Sequence, residues 1–262
     1  MHVQHLASNC RRGYAAYMPH LHRIYIPQET AGTGEIVVGG DEAHHALHVV
    51  RVRPGDPVAL FDGHGREISG EVAAVEKREV VIQALEERVL PPPPRRLTLL
   101  QAWLHRDKAL DFIVQHGTEL GVARFLFFRA RRSERKPVHS EKWTRAAIEA
   151  CKQCGRLWLP EFSIADGIEE AIRDAGAPVL LATKDLHAAP LRTALGGGCV
   201  ALMVGPEGDL TDEEVAEALE AGVTPVSFGA ATYRSEVAAI VGAALIQYEL
   251  GELGPLPHPG RA

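Results

Sequence analysis

The segment MVGPEGDLTDEE, residues 203–214, has the residue types of a ligand-binding turn. Gly205 and Gly208 bracket Pro206 and Glu207 where an apolar run gives way to a helix start, so the backbone can turn tightly and present its polar groups. The Gly-Lys-Ser/Thr ending of a phosphate-binding P-loop is missing, and so is the GxGxxG spacing of a dinucleotide turn. These residues alone leave two readings open, a tight strand-to-helix connection and a ligand loop. A second segment, SFGAATYRSEVAAI at 227–240, has the same design. A strand ends in Gly229, a short loop follows, and Arg234 and Glu236 open an otherwise apolar helix. Glu236 suits the positive end of a helix dipole, and both charges could simply be solvated. Two glycine-hinged loops at the ends of parallel strands would nevertheless enclose a pocket.

Other polar groups leave two readings open, solvated caps and loops or contacts to nucleic acid. In ACKQCGRLWLPE, residues 150–161, Gly155 reads as the left-handed stop of a helix, with Arg156 projecting from the cap. The run RARRSERK, residues 129–136, holds five basic residues and one acid and reads as an exposed loop. Arg23, Arg51 and Arg53 add positive charge, and Arg is suited to bidentate phosphate contact. His44 and His48 stand four apart with Glu42 nearby, but the acid is misplaced for HExxH, so no metal site is expected. His45 either packs or contacts RNA. Cys151 and Cys154 form a CxxC with no second pair to complete a zinc ribbon and no redox-type context, so they read as thiols, as do Cys10 and Cys199.

The elements that must position these groups fall into two sets. Residues 22–27 and 35–38 read as strands and 41–50 as a short helix with Asp41 as its N-cap. VALFDG, EISGEVAAVE and EVVIQALEE follow, β-branched runs split by turn residues, which predict a small antiparallel sheet or barrel. Pro91 to Pro94 is a stiff linker. Beyond it, strands at 97–104, 124–130, 178–183, 199–205 and 224–229 alternate with helices at 106–120, 140–154, from a capping box at Asp166/Glu169, from a second at Thr211/Glu214 to about 221, and at 235–250. The strands are apolar on both faces, which predicts an α/β domain with a parallel sheet covered by helices on both sides.

The chain has 262 residues and a net charge of −6, ordinary globular values that exclude a uniformly basic nucleic-acid coat but not a local basic face. No apolar run reaches the roughly 18 residues of a membrane span, and the N-terminus lacks a signal-peptide core, so a cytoplasmic protein is expected.

Together these motifs resemble one family, the RsmE-type ribosomal RNA uridine N3-methyltransferases of the SPOUT class. The opening motif matches His22 to Ile26, and His-x-x-V-x-R matches approximately at His45 to Arg51, followed by Pro54-Gly55-Asp56 and LFDG. T-E-L-G-V stands as Thr118 to Val122, Gln-(S/C)-G-R as Gln153 to Arg156, and G-P-E-G as Gly205 to Gly208, with Thr211 and Glu214 in place. The resemblance implies a PUA-like β-barrel domain at 21–90, the proline linker at 91–94, and a SPOUT domain with a trefoil knot at 95–252. Residues 1–20 are then an extension expected to be disordered, with Met18 a second candidate start, and 253–262 a tail.

It further implies a homodimer without a membrane anchor that uses S-adenosylmethionine to methylate N3 of a uridine in small-subunit (16S) ribosomal RNA. Cofactor contacts are expected from Leu202, Val204, Gly205, Glu207, Gly208, Gly229, Ala231 and Tyr233. Arg234 and Glu236 are the expected catalytic residues. RNA contacts are expected from Arg23, Arg51, Arg53, Arg129, Arg131, Arg132 and Arg156. Two departures stand out. The family's second glycine after the glutamate is Asp209 here. Its last loop, L-G-x-R-I-L-R-T-E-T-A, has Ala231 for the first Arg, Tyr233 for the Leu and Val237 for the second Thr, while Arg234 and Glu236 remain. Another RNA target, or a non-catalytic RNA-binding role, are the alternatives.

Overall fold

The structure is a computed structural model that describes residues 21–185, 188–196 and 198–253. The expected N-terminal extension, with Cys10 and Met18, and all but the first residue of the expected tail lie outside these residues. The chain forms two compact units, residues up to 92 together with 151–158, and residues 93–150 together with 159 onward.

The first unit holds β1 (His22–Tyr25), β2 (Glu35–Val38), α1 (Gly40–His45), a π turn over Ala46–Val50, β3 (Pro57–Phe61), β4 (Arg66–Val75) and β5 (Val80–Val89). Their order in the sheet is β1-β3-β4-β5-β2. The sheet is mixed, not purely antiparallel as expected, because β1 runs parallel to β3, with Arg23 opposite Ala59. Period-two alternation turns Ile24, Ile36, Val58, Leu60, Ile68, Val72 and Ile82 into one core. The N-cap of α1 is Gly39, in extended backbone and without a side-chain bond, and not Asp41. The helix starts two residues earlier than read, so Asp41 falls in the first turn, where its charge still meets the dipole. The π turn ends on Arg51 in the left-handed region, φ 62°.

Residues 151–158 belong to this unit. The amide of Gly155 donates to Cys151 O at 2.9 Å from a left-handed conformation, φ 80°. Gly65 N–H donates to Leu157 O at 2.9 Å, and a Cβ on Gly65 would sit 2.4 Å from Leu90 O and 2.6 Å from the Trp158 ring, so only glycine fits. Lys152 Nζ, its side chain 5% exposed, meets Glu42 Oε1 at 2.6 Å, while Glu42 Oε2 accepts Tyr25 N–H at 3.1 Å. The Cys151 thiol hydrogen-bonds with Cys154, which together with burial pushes its pKa up and keeps it protonated.

The second unit contains β6 (Leu97–Ala102), α2 (Asp107–Leu120), β7 (Val122–Phe128), α3 (Glu141–Cys154), β8 (Glu161–Ala165), α4 (Ile168–Asp174), β9 (Val179–Ala182), β10 (Ala189–Pro190), α5 (Leu191–Ala194), β11 (Val200–Val204), α6 (Asp212–Glu220), β12 (Thr224–Ser227) and α7 (Ser235–Glu249). Seven strands pair in parallel in the order β10-β12-β9-β11-β6-β7-β8. Both faces are covered. Val200, Leu202 and Val204 enter the core shared with α2 and α7, while Ala201 and Met203 enter the core shared with α4 and α6. The capping box expected at Asp166/Glu169 does not form. Gly167 is the N-cap, and Asp166 N–H donates to Glu170 Oε2 at 2.6 Å. The box at Thr211/Glu214 is complete: Thr211 Oγ1 accepts Glu214 N–H at 3.2 Å and Glu214 Oε2 accepts Thr211 N–H at 2.9 Å. The strands β8 and β10 and the single turn α5 had no sequence reading.

Candidate functional site

A cavity of about 540 Å³ opens at the carboxyl ends of β6, β9, β11 and β12. The strand order shows why it lies there. From β6 the chain winds outward through β7 to β8, whereas β11, the neighbour of β6 on its other side, continues through α6 to β12 away from it. Loops leaving adjacent strands in opposite directions leave a crevice between them, the usual ligand position of an open parallel sheet. The volume lies within the roughly 300–1,000 Å³ typical of small-molecule sites.

Each wall is a loop held by specific bonds. Gly205 ends β11, and a Cβ there would come 3.3 Å from Leu210 N, so the turn packs tightly on itself. Behind it, Gln101 in β6 is fully buried, and its Nε2 donates to Ser235 Oγ at 3.0 Å and to Ala102 O at 2.9 Å. Ser235 Oγ in turn donates to Gly205 O. This network ties β6, the turn after β11 and the first residue of α7 together. Glu207 Oε1 accepts His105 N–H at 3.0 Å, joining the turn after β11 to the loop after β6. Asp209 holds a left-handed conformation, φ 65°, with Oδ1 accepting Leu210 N–H at 3.0 Å and Oδ2 meeting Lys184 Nζ at 3.2 Å. Gly229, at φ 108°, turns the last loop in a conformation that side chains disfavour. Gly242 lets α7 sit close to β11, since a Cβ there would be 2.5 Å from Leu202 Cδ2 and 2.7 Å from the Phe228 ring.

The charged lining is distinctive. Arg234 is the exposed N-cap of α7, with no side-chain cap bond. Glu236 stands in the first turn, where the helix dipole favours its charge. Its side chain is only 13% exposed, and Oε1 lies 3.5 Å from Arg106 Nη2. Its other oxygen is buried with no hydrogen-bond partner. A buried carboxylate oxygen without a partner is costly, and Glu236 as a residue lines the cavity.

Of the residues expected around a cofactor, Val204, Gly205, Glu207, Gly229, Ala231 and Tyr233 line this cavity, with Arg234 and Glu236. Leu202 is wholly buried in the sheet, and Gly208 lies against the Arg132 side chain instead. Sequence reasoning passed over Arg106, Lys184, Asp209 and Ser235. Asp209 carried a signal, an acid in a motif position where glycine is usual. Gln101 carried another, a lone amide in an apolar strand. Arg106 and Lys184 carried none.

The expected RNA-contacting arginines are held differently. In the first unit, Arg51 and Arg53 are exposed, while Arg23, its side chain 10% exposed, pairs with Glu67 at 2.7 Å and lies over the Phe61 ring. Arg156 is half-buried, and its backbone O accepts from Arg23 Nη2 at 3.4 Å. In the second unit Arg129 is exposed. Arg131 binds Glu214 through its backbone and Glu217 through its side chain, and Arg132 Nη1 donates to Gly208 O at 2.7 Å. The basic run is therefore fastened to the turn after β11 and the acidic start of α6, with Ser133 buried, and is not the freely solvated loop that composition suggested.

Comparison with known proteins agrees with this architecture. A family model described as an RNA methyltransferase domain matches residues 91–247, and one described as an RNA methyltransferase PUA domain matches residues 38–85. The chain is 26% identical over 232 residues to the ribosomal RNA small subunit methyltransferase E of Rickettsia conorii, covering 86% of this chain and 94% of that protein. It is 29% identical over 224 residues to the protein of the same name from Mycobacterium tuberculosis, covering 80% and 85%. The crystal structure of a ribosomal RNA small subunit methyltransferase E from Neisseria gonorrhoeae bound to S-adenosyl methionine superposes with a TM-score of 0.77 at 29% identity, covering 87% of this chain and 98% of that one. With more than half of its length matched by the methyltransferase model, the chain belongs to the RNA methyltransferase family.

Proposed function

We propose that the protein transfers a methyl group from S-adenosylmethionine to N3 of a uridine in small-subunit ribosomal RNA. The observation that carries this reading is the cavity at the switch point of the parallel sheet, lined by Arg234 and Glu236. The relatives' names and the cofactor of the Neisseria structure agree with it. The site fits the cofactor. Its volume suits a nucleoside with a short tail, the close-packed turn at Gly205 and the bend at Gly229 bring main chain to the walls, and the Lys184–Asp209 pair offers both signs of charge to a zwitterionic tail.

Bound there, S-adenosylmethionine supplies a methyl group made electrophilic by its sulfonium, so the protein's task is alignment and proton removal. The backbone of Val204–Gly205 and of Gly229–Tyr233 holds the nucleoside end and fixes the line of attack. The target uracil must leave its stack to enter the cavity. Its N3 carries a proton at neutral pH. Glu236 is placed to accept it, and Arg234 to stabilise negative charge growing on the uracil oxygens. Arg51, Arg53, Arg129 and the fastened Arg131 and Arg132 supply phosphate contacts, with Arg156, while Arg23 is committed to Glu67.

The finer architecture follows the same reading. We place a PUA-like domain at 21–90, the linker at 91–94 and a SPOUT domain at 95–252, with the loops after β9, β11 and β12 forming a trefoil knot. A second copy covers α7, a helix apolar on every side that leaves Val237, Leu245 and Tyr248 exposed. No helix among the described residues is long and apolar enough to cross a membrane, and we place the protein in the cytoplasm, where its substrate is made. The test is mass spectrometry of small-subunit RNA from a deletion strain, with calorimetry of the purified protein. The expected result is loss of one N3-methyluridine and cofactor binding. An unchanged RNA overturns the target assignment, and absence of cofactor binding overturns the enzyme.

A further inference from the structure

The edge of uracil that carries N3 presents an acceptor, a donor and an acceptor: O4, N3–H and O2. Cytosine presents a donor and two acceptors along the same edge. A protein surface that reads uracil there must offer donor, acceptor, donor. Arg106, Glu236 and Arg234 all line the cavity, two guanidinium groups and one carboxylate. Arg106 comes from the loop after β6, on a different wall from the loop that carries Arg234.

Arg106, its side chain 57% exposed, has three features that bear on a ligand. It meets Glu236 at 3.5 Å, longer than the ~2.7–2.9 Å of a charge-assisted hydrogen bond, so its donors are not committed. Its one ionic partner among the described residues is the carboxylate whose second oxygen is buried and unpaired. The last loop has Ala231 in place of a third guanidinium, so the guanidinium groups that line the cavity are Arg106 and Arg234.

Resting on the methyl-transfer reading, we propose that Arg106 is a further catalytic residue that selects uracil and assists loss of its N3 proton. Its guanidinium donates to one uracil oxygen, Arg234 donates to the other, and the Glu236 carboxylate accepts N3–H between them. In the reaction the N3–H bond breaks and the proton passes to Glu236. The electron pair left on N3 forms the bond to the methyl group. The methyl–sulfur bond breaks with its pair staying on sulfur, leaving the neutral thioether. The two guanidinium groups meet the negative charge on the uracil oxygens as it forms. Cytosine would set its amino group against a guanidinium and its N3 lone pair against the carboxylate, two repulsive contacts that exclude it.

The test is single-turnover methylation of small subunits reconstituted with RNA transcribed either with uridine or with 5-fluorouridine, whose N3–H is more acidic. Arg106→Ala is expected to lower turnover on uridine RNA by ~100-fold, as removal of an oxyanion donor does, with cofactor affinity unchanged. Arg106→Lys should recover little, because one ammonium does not reproduce the planar fork. On 5-fluorouridine RNA the Arg106→Ala defect should shrink to about tenfold or less, because less assistance to proton loss is needed. Wild-type-like turnover in Arg106→Ala, an equal defect on both RNAs, or lost cofactor binding would each overturn the proposal. A wild-type protein that forms no N3-methyluridine on either RNA overturns the parent reading, and this one with it.

Discussion

Replacing Ser235 by Ala should weaken the second unit and its cavity together. Ser235 is 8% exposed and joins two strand ends through one hydroxyl, which accepts from Gln101 Nε2 at 3.0 Å and donates to Gly205 O. The substitution removes both bonds. Gln101, with no exposure, keeps Ala102 O at 2.9 Å and a long contact to Gly205 O at 3.4 Å, so its amide is only partly satisfied. Two buried hydrogen bonds at about 1 kcal/mol each, with incomplete repair, give a loss of ~2 kcal/mol. For a unit of this size that lowers Tm by about 4–8 °C. Urea unfolding followed by Trp103 and Trp143 fluorescence should show a lower midpoint with an unchanged slope. Cofactor affinity should fall as well, because the Gly205 carbonyl is no longer held in place. A loss of stability below ~0.5 kcal/mol would refute the view that this network carries load. A destabilised variant with undiminished affinity would confine it to the fold.

Four further outcomes follow from single positions. Asp209→Gly should be more stable than Asp209→Ala by about 1 kcal/mol, because both lose the bond to Leu210 N–H but only alanine keeps the left-handed strain, and equal stabilities in urea would contradict the backbone assignment. Thr211→Ala should cost about 1 kcal/mol of stability through the lost capping box, and unfolding midpoints will show whether it does. The Glu213 carboxyl is held below the usual glutamate range chiefly by a hydrogen bond from Thr211, so its support of α6 is present above the ordinary pKa and lost as pH falls through the lowered one. NMR titration of Thr211→Ala should return Glu213 toward its ordinary value, and no movement would rule that bond out. Replacing Arg51 and Arg53 by Ala should flatten the log–log salt dependence of RNA affinity by about 0.7–0.9 per phosphate contact removed, and an unchanged slope would take both residues out of the footprint.

Much of the fold was written in local pattern. The apolar strands β6, β7, β9 and β11 were legible because both of their faces are buried, which leaves unbroken hydrophobic runs. The capping box at Thr211 was legible because its two partners are three residues apart. What pattern missed has a physical cause in each case. β8 is a run of half-buried residues with no alternation behind Pro160, and β10 and α5 span only a few residues each, too short for a period to show. The parallel pairing of β1 with β3 depends on a partner more than thirty residues away, to which no local signal refers. The capping box read at Asp166 failed because Gly167 can take the extended N-cap conformation itself and so moved the helix start.

The candidate site divides along the same line. Gly205, Gly229, Arg234 and Glu236 belong to two continuous segments and were legible as such, whereas Arg106 and Lys184 reach the cavity only because β6 and β9 end beside β11. A parallel sheet brings successive carboxyl ends to one edge, so a site built there always draws residues that no motif contains. Among the described residues two that are not glycine hold the left-handed region, Asp209 and Arg51. Each costs the fold stability that a glycine would restore, yet one lines the cavity and the other presents an exposed guanidinium from the end of the π turn. In both places the left-handed residue is charged rather than glycine, an arrangement that local backbone preference does not favour. Arg51→Gly separates the two effects: stability should hold or rise while RNA affinity falls, and a variant that loses stability instead would show that Arg51 is held there by packing.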